Sequence, residues 1–307
     1  DNVDEFFPGP FVSPVRVRNF EDGVFYFKTR TSETAAGKYR EIVFQASHGH
    51  EMKVLYKAGP IRAHEAGTEF GYGTLLGAAV HPRGGRMGLV LSTPGERGQR
   101  LVERDLKWTP PNQVSDALIA GVDVIRLFGY DASGAFLMAH TIQRSRGRAT
   151  MEFVALRSGA PGETPIKLGR AGNYTTFASV HPKEAVVVVS YQSKPGEPFE
   201  CYVTPIKMNA TPAYLESCRV SGHAWHPSGD YFVCTAEDED GQHQLFAVRY
   251  PSGARTKLTG SGSVFPGVER VANPGDAVVS ADGEWVAFRS GGSRIVLAEL
   301  AQFALGG

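Results

Sequence analysis

A phrase repeated six times constrains this chain more than any other feature. A short apolar strand, a tight turn of the type His-Pro-x-Gly or x-Asp-Gly, and a strongly apolar strand ending in Ser or Thr recur along its length. The copies are NFEDGVFYFKTR, VHPRGGRMGLVLST, YDASGAFLMAHT, VHPKEAVVVVSYQS, WHPSGDYFVCTAE and SADGEWVAFRS. Their turns centre on Gly23, Gly84, Gly134, Glu184, Gly229 and Gly283, at spacings of 61, 50, 50, 45 and 54 residues. The stretch from Gly283 to the end, continued from Asp1 to Gly23, supplies another 47, so the sequence is expected to close on itself as six units. A fixed period of this kind marks a unit that cannot bury its faces alone and stacks on its neighbours.

Each unit continues alike. A polar loop leads to a third strand (REIVFQA, QRLVERDL, TMEFVAL, FECYVTPI, QLFAVRY, SRIVLAEL), several of them alternating apolar and polar residues as a half-buried strand does. A short turn such as Tyr250-Pro251-Ser252-Gly253 then gives a fourth strand, as in TPIKLG or RTKLTG. Glycine (36) and proline (19) punctuate the whole chain, and no segment offers a long amphipathic helix. Four antiparallel strands repeated six times about an axis make an all-β, six-bladed β-propeller. The expected organisation is one domain over 1–307, with blades near 12–60, 70–116, 122–170, 173–217, 218–261 and 264–307. Either the tail 301–307 supplies the last strand or residues 4–12 cross over to help close the ring. The second strand of each unit should lie inside its blade, covered on both faces; VVVVS at 186–190 and LVLS at 89–92 are the plainest cases.

The phrases SADGEWVAF and HPSGDYFVC resemble the Ser-Pro-Asp-Gly-led repeat of TolB-like propellers, related to WD repeats, and DGQHQLFAV is similar to the second half of that repeat. The resemblance implies the propeller fold and a periplasmic or secreted location. It says little of activity, since one fold hosts many functions.

Lys+Arg and Asp+Glu each count 32, so the chain has no global attraction for nucleic acid or an anionic membrane. No apolar run reaches the roughly 18 residues of a membrane span. A monomer is expected, and so is no nucleic-acid partner. The chain starts at Asp1 without methionine, which reads as a processing boundary that leaves open a removed leader. Cys201, Cys218 and Cys234 are too few and too irregularly spaced for a disulfide framework or a Cys-x-x-Cys metal site. Cys234, in YFVC, is expected to be a small buried hydrophobe.

Three groups of residues carry candidate chemistry. The acids Glu237 to Asp240 before Gly241 offer Asp238 and Asp240 at alternating positions, but QHQLFAV supplies no later carboxylate to complete a calcium loop, so a solvated loop is expected. His81, His181 and His226 precede prolines at equivalent places, which holds them apart around the ring and argues for a ring nitrogen bonded to the local backbone. Polar residues at the entry to each first strand should approach the central channel: His64, Glu69 and Tyr72, then Asp123 and Arg126, then Tyr174, His223, Trp225 and Arg270. His64 and His223 could share a divalent metal with Glu69 or Asp123; otherwise no cofactor is expected. Arg144, Arg146 and Arg148 form the one basic cluster, a candidate edge for an acidic partner. No Gly-x-Ser-x-Gly elbow, dinucleotide turn or P-loop occurs.

Two functions follow from this reading. The first is a non-enzymatic TolB-like propeller that presents its channel face to a protein partner or a small or oligosaccharide ligand. The alternative is a carbohydrate-active lyase or hydrolase with its active site at the channel, with or without a metal; some propellers of this broad resemblance are metal-using polysaccharide lyases.

Overall fold

Period-2 patterning and glycine turns produce strands throughout. The computed structural model describes residues 23–32, 37–46, 52–58, 74–83, 85–92, 98–105, 116–145, 148–168, 176–192, 194, 196–261, 274–280, 282–291 and 294–300. Among them all regular structure is β-strand in antiparallel sheets, and no helix is long and apolar enough to cross a membrane. The chain divides into two compact units, residues 1–167 and 168–307.

In the first unit, β1 (Gly23–Ser32), β2 (Gly37–Ala46) and β3 (Met52–Ala58) form a three-stranded sheet. A seven-stranded sheet follows, from β4 (Thr74–Val80), β5 (Arg86–Ser92) and β6 (Gln99–Asp105) through β7 (Ala117–Tyr130) to β8 (Phe136–Ser145), β9 (Arg148–Arg157) and β10 (Ile166–Lys167). β7 is the hinge of this sheet. Its first half pairs with β6 and its second half, from Asp123, pairs with β8. Gly121, at φ +74°, is skipped in the β6 pairing, and this bulge bends the strand from one partner to the other. The two halves enclose a core that includes Val90, Leu101, Leu127, Leu137 and Leu156.

The second unit holds three sheets. β11 (Thr176–Val180), β12 (Val186–Tyr191), β13 (Glu200–Pro205) and β14 (Ala213–Ser217) make one. β15 (Arg219–Trp225), β16 (Tyr231–Glu237), β17 (His243–Arg249) and β18 (Arg255–Lys257) make the next, and β19 (Gly275–Val279), β20 (Trp285–Ser290) and β21 (Arg294–Glu299) the last. The first strands of the three sheets lie side by side, β15 between β11 and β19. All six residues of β12 are buried, as its position between β11 and β13 requires. β16 shows how alternation builds two cores from one strand. Phe232, Cys234 and Ala236 face the sheet before it, and Tyr231 and Val233 pack with Leu245, Val286 and Phe288 of its own and the following sheet. Burying each such large apolar side chain contributes about 1.5–3 kcal/mol.

One end of the sheets carries the turns from first to second strand, and there the three turn histidines bond twice. His81 Nδ1 accepts the Arg83 N–H (3.1 Å), His181 Nδ1 those of Lys183 and Glu184 (3.1 and 2.9 Å), and His226 Nδ1 that of Ser228 (3.1 Å). That is the local role expected of them. The other nitrogen reaches further: Nε2 of His81 donates to the Gly134 carbonyl (3.1 Å), and Nε2 of His181 to that of Gly229 (3.0 Å). His226 bonds the Gly283 backbone in the same way. Each histidine therefore ties its own turn to the corresponding turn of the next sheet or half-sheet. Glycine is required at the receiving position: a Cβ on Gly134, Gly229 or Gly283 would lie 1.9, 2.6 or 2.3 Å from the imidazole, and all three have φ near +80°. Since Nδ1 accepts, the ring is the neutral Nε2–H tautomer. Burial lowers all three imidazole pKa values, partly offset by the glycine carbonyl.

The same end of the first unit holds a buried carboxylate. Glu103 accepts from Tyr130 Oη (2.9 Å) and Ser158 Oγ (2.7 Å) on one oxygen, and from the Gly159 N–H (2.6 Å) and Arg86 (3.4 Å) on the other. Burial, then the Glu103 charge, pushes the Tyr130 phenol well above its ordinary range.

Candidate ligand cleft

The opposite end of the sheets, where second strands run into third strands and each sheet hands over to the next, opens into a cleft in the second unit. It has a volume of about 550 Å³. Its walls come from all three sheets: Gln192 and Glu197 to Phe199 around the β12–β13 loop, Ser217 to Arg219 where β14 passes to β15, Thr235 to Glu237 and His243 at the β16–β17 loop, Arg255 on β18, and Gly275 and Arg289 on the last sheet.

Arginine dominates its electrostatics. The Arg219 guanidinium lies 4.2 Å from the Phe177 ring centroid and 5.7 Å from that of Phe199, two rings set at 67° to each other. Such contacts hold a cation in place. Arg255 stacks at 4.1 Å on Phe246 and pairs with Glu216. Arg289 is exposed on the far wall. Two acids also line it: Glu197, paired with Lys194 (3.2 Å), and Glu237, whose Oε1 lies 3.9 Å from His243 Nε2. The floor includes Cys218, which is within thiol hydrogen-bond reach of Cys201 and Cys234. All three are free and buried, and burial pushes the thiols of Cys218 and Cys234 well up, so neither is an activated nucleophile.

One of the residues expected at a channel mouth is buried instead. Trp225 is not at the loop end of β15 but at its turn end. It is 6% exposed, its indole N–H donates to the Ser179 carbonyl (3.0 Å), and its ring packs on His181, Phe232 and Tyr250. It is a core residue with its polar group satisfied. His223 lies two residues before it on the same strand, and nothing further is described of its side chain. Asp123 and Arg126 are half-buried on β7, Arg126 opposite His140 and 5.5 Å from the Phe128 ring. Burial, then the Arg126 charge, lowers the His140 imidazole to about 4. His64, Glu69, Tyr72, Tyr174 and Arg270 lie outside the described residues, as does Arg146. Arg144 and Arg148 flank it on the β8–β9 hairpin, opposite Ala149 and Ser145.

The acidic loop is occupied by its own structure. Asp238 Oδ1 accepts the N–H groups of Gln242 (2.9 Å) and Asp240 (3.1 Å), and Oδ2 pairs with Lys257 (2.7 Å). Lys257, then the Gln242 N–H, holds the Asp238 carboxyl below the usual carboxylate range. No group of three or more metal-ligating side chains is found among the described residues.

Arg219, Arg255, Arg289 and His243 were not among the sequence candidates. Arg219 is the first residue of a first strand, four residues before His223.

No protein-family model and no curated protein matches the sequence. Solved structures do. A prolyl endopeptidase superposes with a TM-score of 0.66 at 12% identity over 92% of this chain and 40% of its own. The β-propeller domain of the Trilobed protease from Pyrococcus furiosus, described as having an open velcro topology, gives 0.59 at 10% identity over 91% of this chain and 78% of its own. The fold is propeller-like. An oligogalacturonate lyase in complex with manganese gives 0.52 at 11% identity, covering 88% and 78%. TolB proteins also match, at TM-scores of 0.46 and 0.47. This chain spans less than half the length of the prolyl endopeptidase, and at such identities the likeness carries the fold alone.

Proposed function

We propose that the chain is a six-bladed propeller module that binds a small ligand in the cleft at the loop end of residues 168–307. The observation that carries this is a cleft walled by three sheets in which a guanidinium is held against two aromatic rings. Its volume lies within the roughly 300–1,000 Å³ of small-molecule sites, and sites of this kind combine apolar walls with a few fixed polar groups. The spacing of the turn phrases supports six blades of about 50 residues. The first-strand residues His64, Glu69, Tyr72, Asp123, Arg126, Tyr174, His223 and Arg270 remain candidates for a second contact region.

The test is a ligand screen by thermal shift on the full chain and on Ser217→Trp, which places a bulky ring at an exposed position in the cleft wall. A ligand that binds the folded state raises the melting temperature by mass action. Compounds that stabilise the parent chain are expected to lose that effect in the variant. Compounds that stabilise both equally would place binding elsewhere.

The second reading, a carbohydrate-active lyase or hydrolase, takes its support from the His243–Glu237 pair at the cleft rim, since an imidazole beside a carboxylate is the raw material of proton transfer. Product release from acidic and neutral oligosaccharides, lost in His243→Ala with the fold intact, would favour it over simple binding.

A further inference from the structure

We propose that Cys218, on the floor of the cleft, is an oxidation site that hydrogen peroxide converts to a disulfide with Cys201 or Cys234. Three thiols meet here although they lie 17 and 16 residues apart in sequence. Cys201 is on β13, Cys234 on β16, and Cys218 at the handover from β14 to β15. The outer two thus belong to neighbouring sheets, and the middle one to the link between them. All three fall in one core cluster with Val188, Val220 and Phe246. Backbone pairing sets them at one level. Ser190 stands opposite Cys201 and Val220 opposite Cys234, and the Val220 N–H donates to Ser190 Oγ (3.1 Å). Cys218 lies within thiol hydrogen-bond reach of both neighbours.

Access separates the three. Cys218 lines the cleft, while Cys201 and Cys234 are 0% and 1% exposed, so a small oxidant meets Cys218 first. Its sulfur attacks one peroxide oxygen and the O–O bond breaks. The departing oxygen leaves as water with the thiol proton, and Cys218 becomes a sulfenic acid, its sulfur oxidised by the two electrons that peroxide gains. A neighbouring thiol then attacks that sulfur, the S–O bond breaks, and the hydroxyl leaves as water with the second thiol proton. Two thiols and one hydrogen peroxide become one disulfide and two waters. Burial pushes the Cys218 thiol up and slows the first step. Contact between the sulfurs favours the second, because the attacking group is already in place. With a third thiol in reach, exchange can pass the disulfide from one neighbour to the other. Ser217 and Arg219, on either side of Cys218, are both cleft residues, so oxidation ties this wall to β13 or to β16.

Thiol counting on the full chain tests the proposal. Reduced protein is treated with hydrogen peroxide, unfolded and labelled with N-ethylmaleimide. Intact mass then gives the number of free thiols, and a non-reducing peptide map gives the linked pair. The parent chain is expected to lose two of its three thiols, to regain them with dithiothreitol, and to show Cys218 linked to Cys201 or Cys234. Cys201→Ser and Cys234→Ser should each still lose both remaining thiols, and Cys218→Ser neither. The map of the parent chain needs no substitution, so it decides the matter even if a variant fails to fold. Three labelled thiols after treatment overturn the proposal. So does a Cys201–Cys234 link as the main product, a link between two chains, or loss of thiol to sulfinic acid with no link formed.

Discussion

The two ends of the same sheets in residues 168–307 are built on opposite rules. At the turn end both nitrogens of His181 and His226 are committed, the receiving glycines leave no room for a Cβ, and Trp225 buries its ring with its N–H satisfied. At the loop end the chain leaves a cleft and lines it with charge. The closed end fixes the spacing of the sheets. The open end is thereby freed to carry chemistry, because its loops need not hold the sheets together.

Glycine substitutions should break this contrast most sharply. Gly229→Ala at the turn end meets His181 at 2.6 Å and sits at φ +80°, so it is expected to cost about 3 kcal/mol or more. Gly241→Ala at the loop end also has positive φ (+70°) but nothing within 4 Å, and should cost about 1 kcal/mol. Urea midpoints of the two variants, compared at equal slope, check the difference. Next comes the side-chain pair. His181→Ala removes the Gly229 bond and the contacts with Trp225 and Tyr250, and is expected to cost about 2–4 kcal/mol. Arg219→Ala, which loses ring contacts at a half-buried site, should cost about 1 kcal/mol.

The smallest effect is one of pH. His81, His181 and His226 are held neutral in the folded chain, with pKa values below the ordinary 6.5. Above that value folded and unfolded forms are both neutral, and these groups add no pH dependence. As pH falls below it, the unfolded chain takes up protons that the folded chain resists, so stability falls until the folded imidazoles protonate as well. A proton on Nδ1 would also face the backbone N–H groups it now accepts. Denaturant midpoints at about pH 7.5 and about pH 5.5 should show this loss, and His181→Gln should make it shallower. An unchanged midpoint would mean that the tie between turns does not depend on the neutral ring.

Much of the fold was legible because its signals are local. Glycine turns and apolar runs such as YFVC mark strands without reference to the rest of the chain. β7 was not legible. Gly121 reads as a boundary, and the chain instead uses it as a bulge inside one continuous strand. The cleft was less legible still. Arg219, Arg255 and Arg289 are 36 and 34 residues apart, and only the packing of three sheets brings them to one opening. Trp225 shows the reverse error: its place on a first strand suggested the channel, but seven residues of strand carry it to the far end and into the core. The turn histidines were read correctly as far as the local bond, while the bond to the next turn depends on a glycine about 50 residues away.

Hydrogen exchange on the full chain tests the division most directly. Amides at 181–186 and 226–231 are expected to exchange slowly, and those of the cleft loops at 196–199 and 239–242 faster. Turn amides that exchange as fast as the loops of the cleft, or faster, would contradict the division.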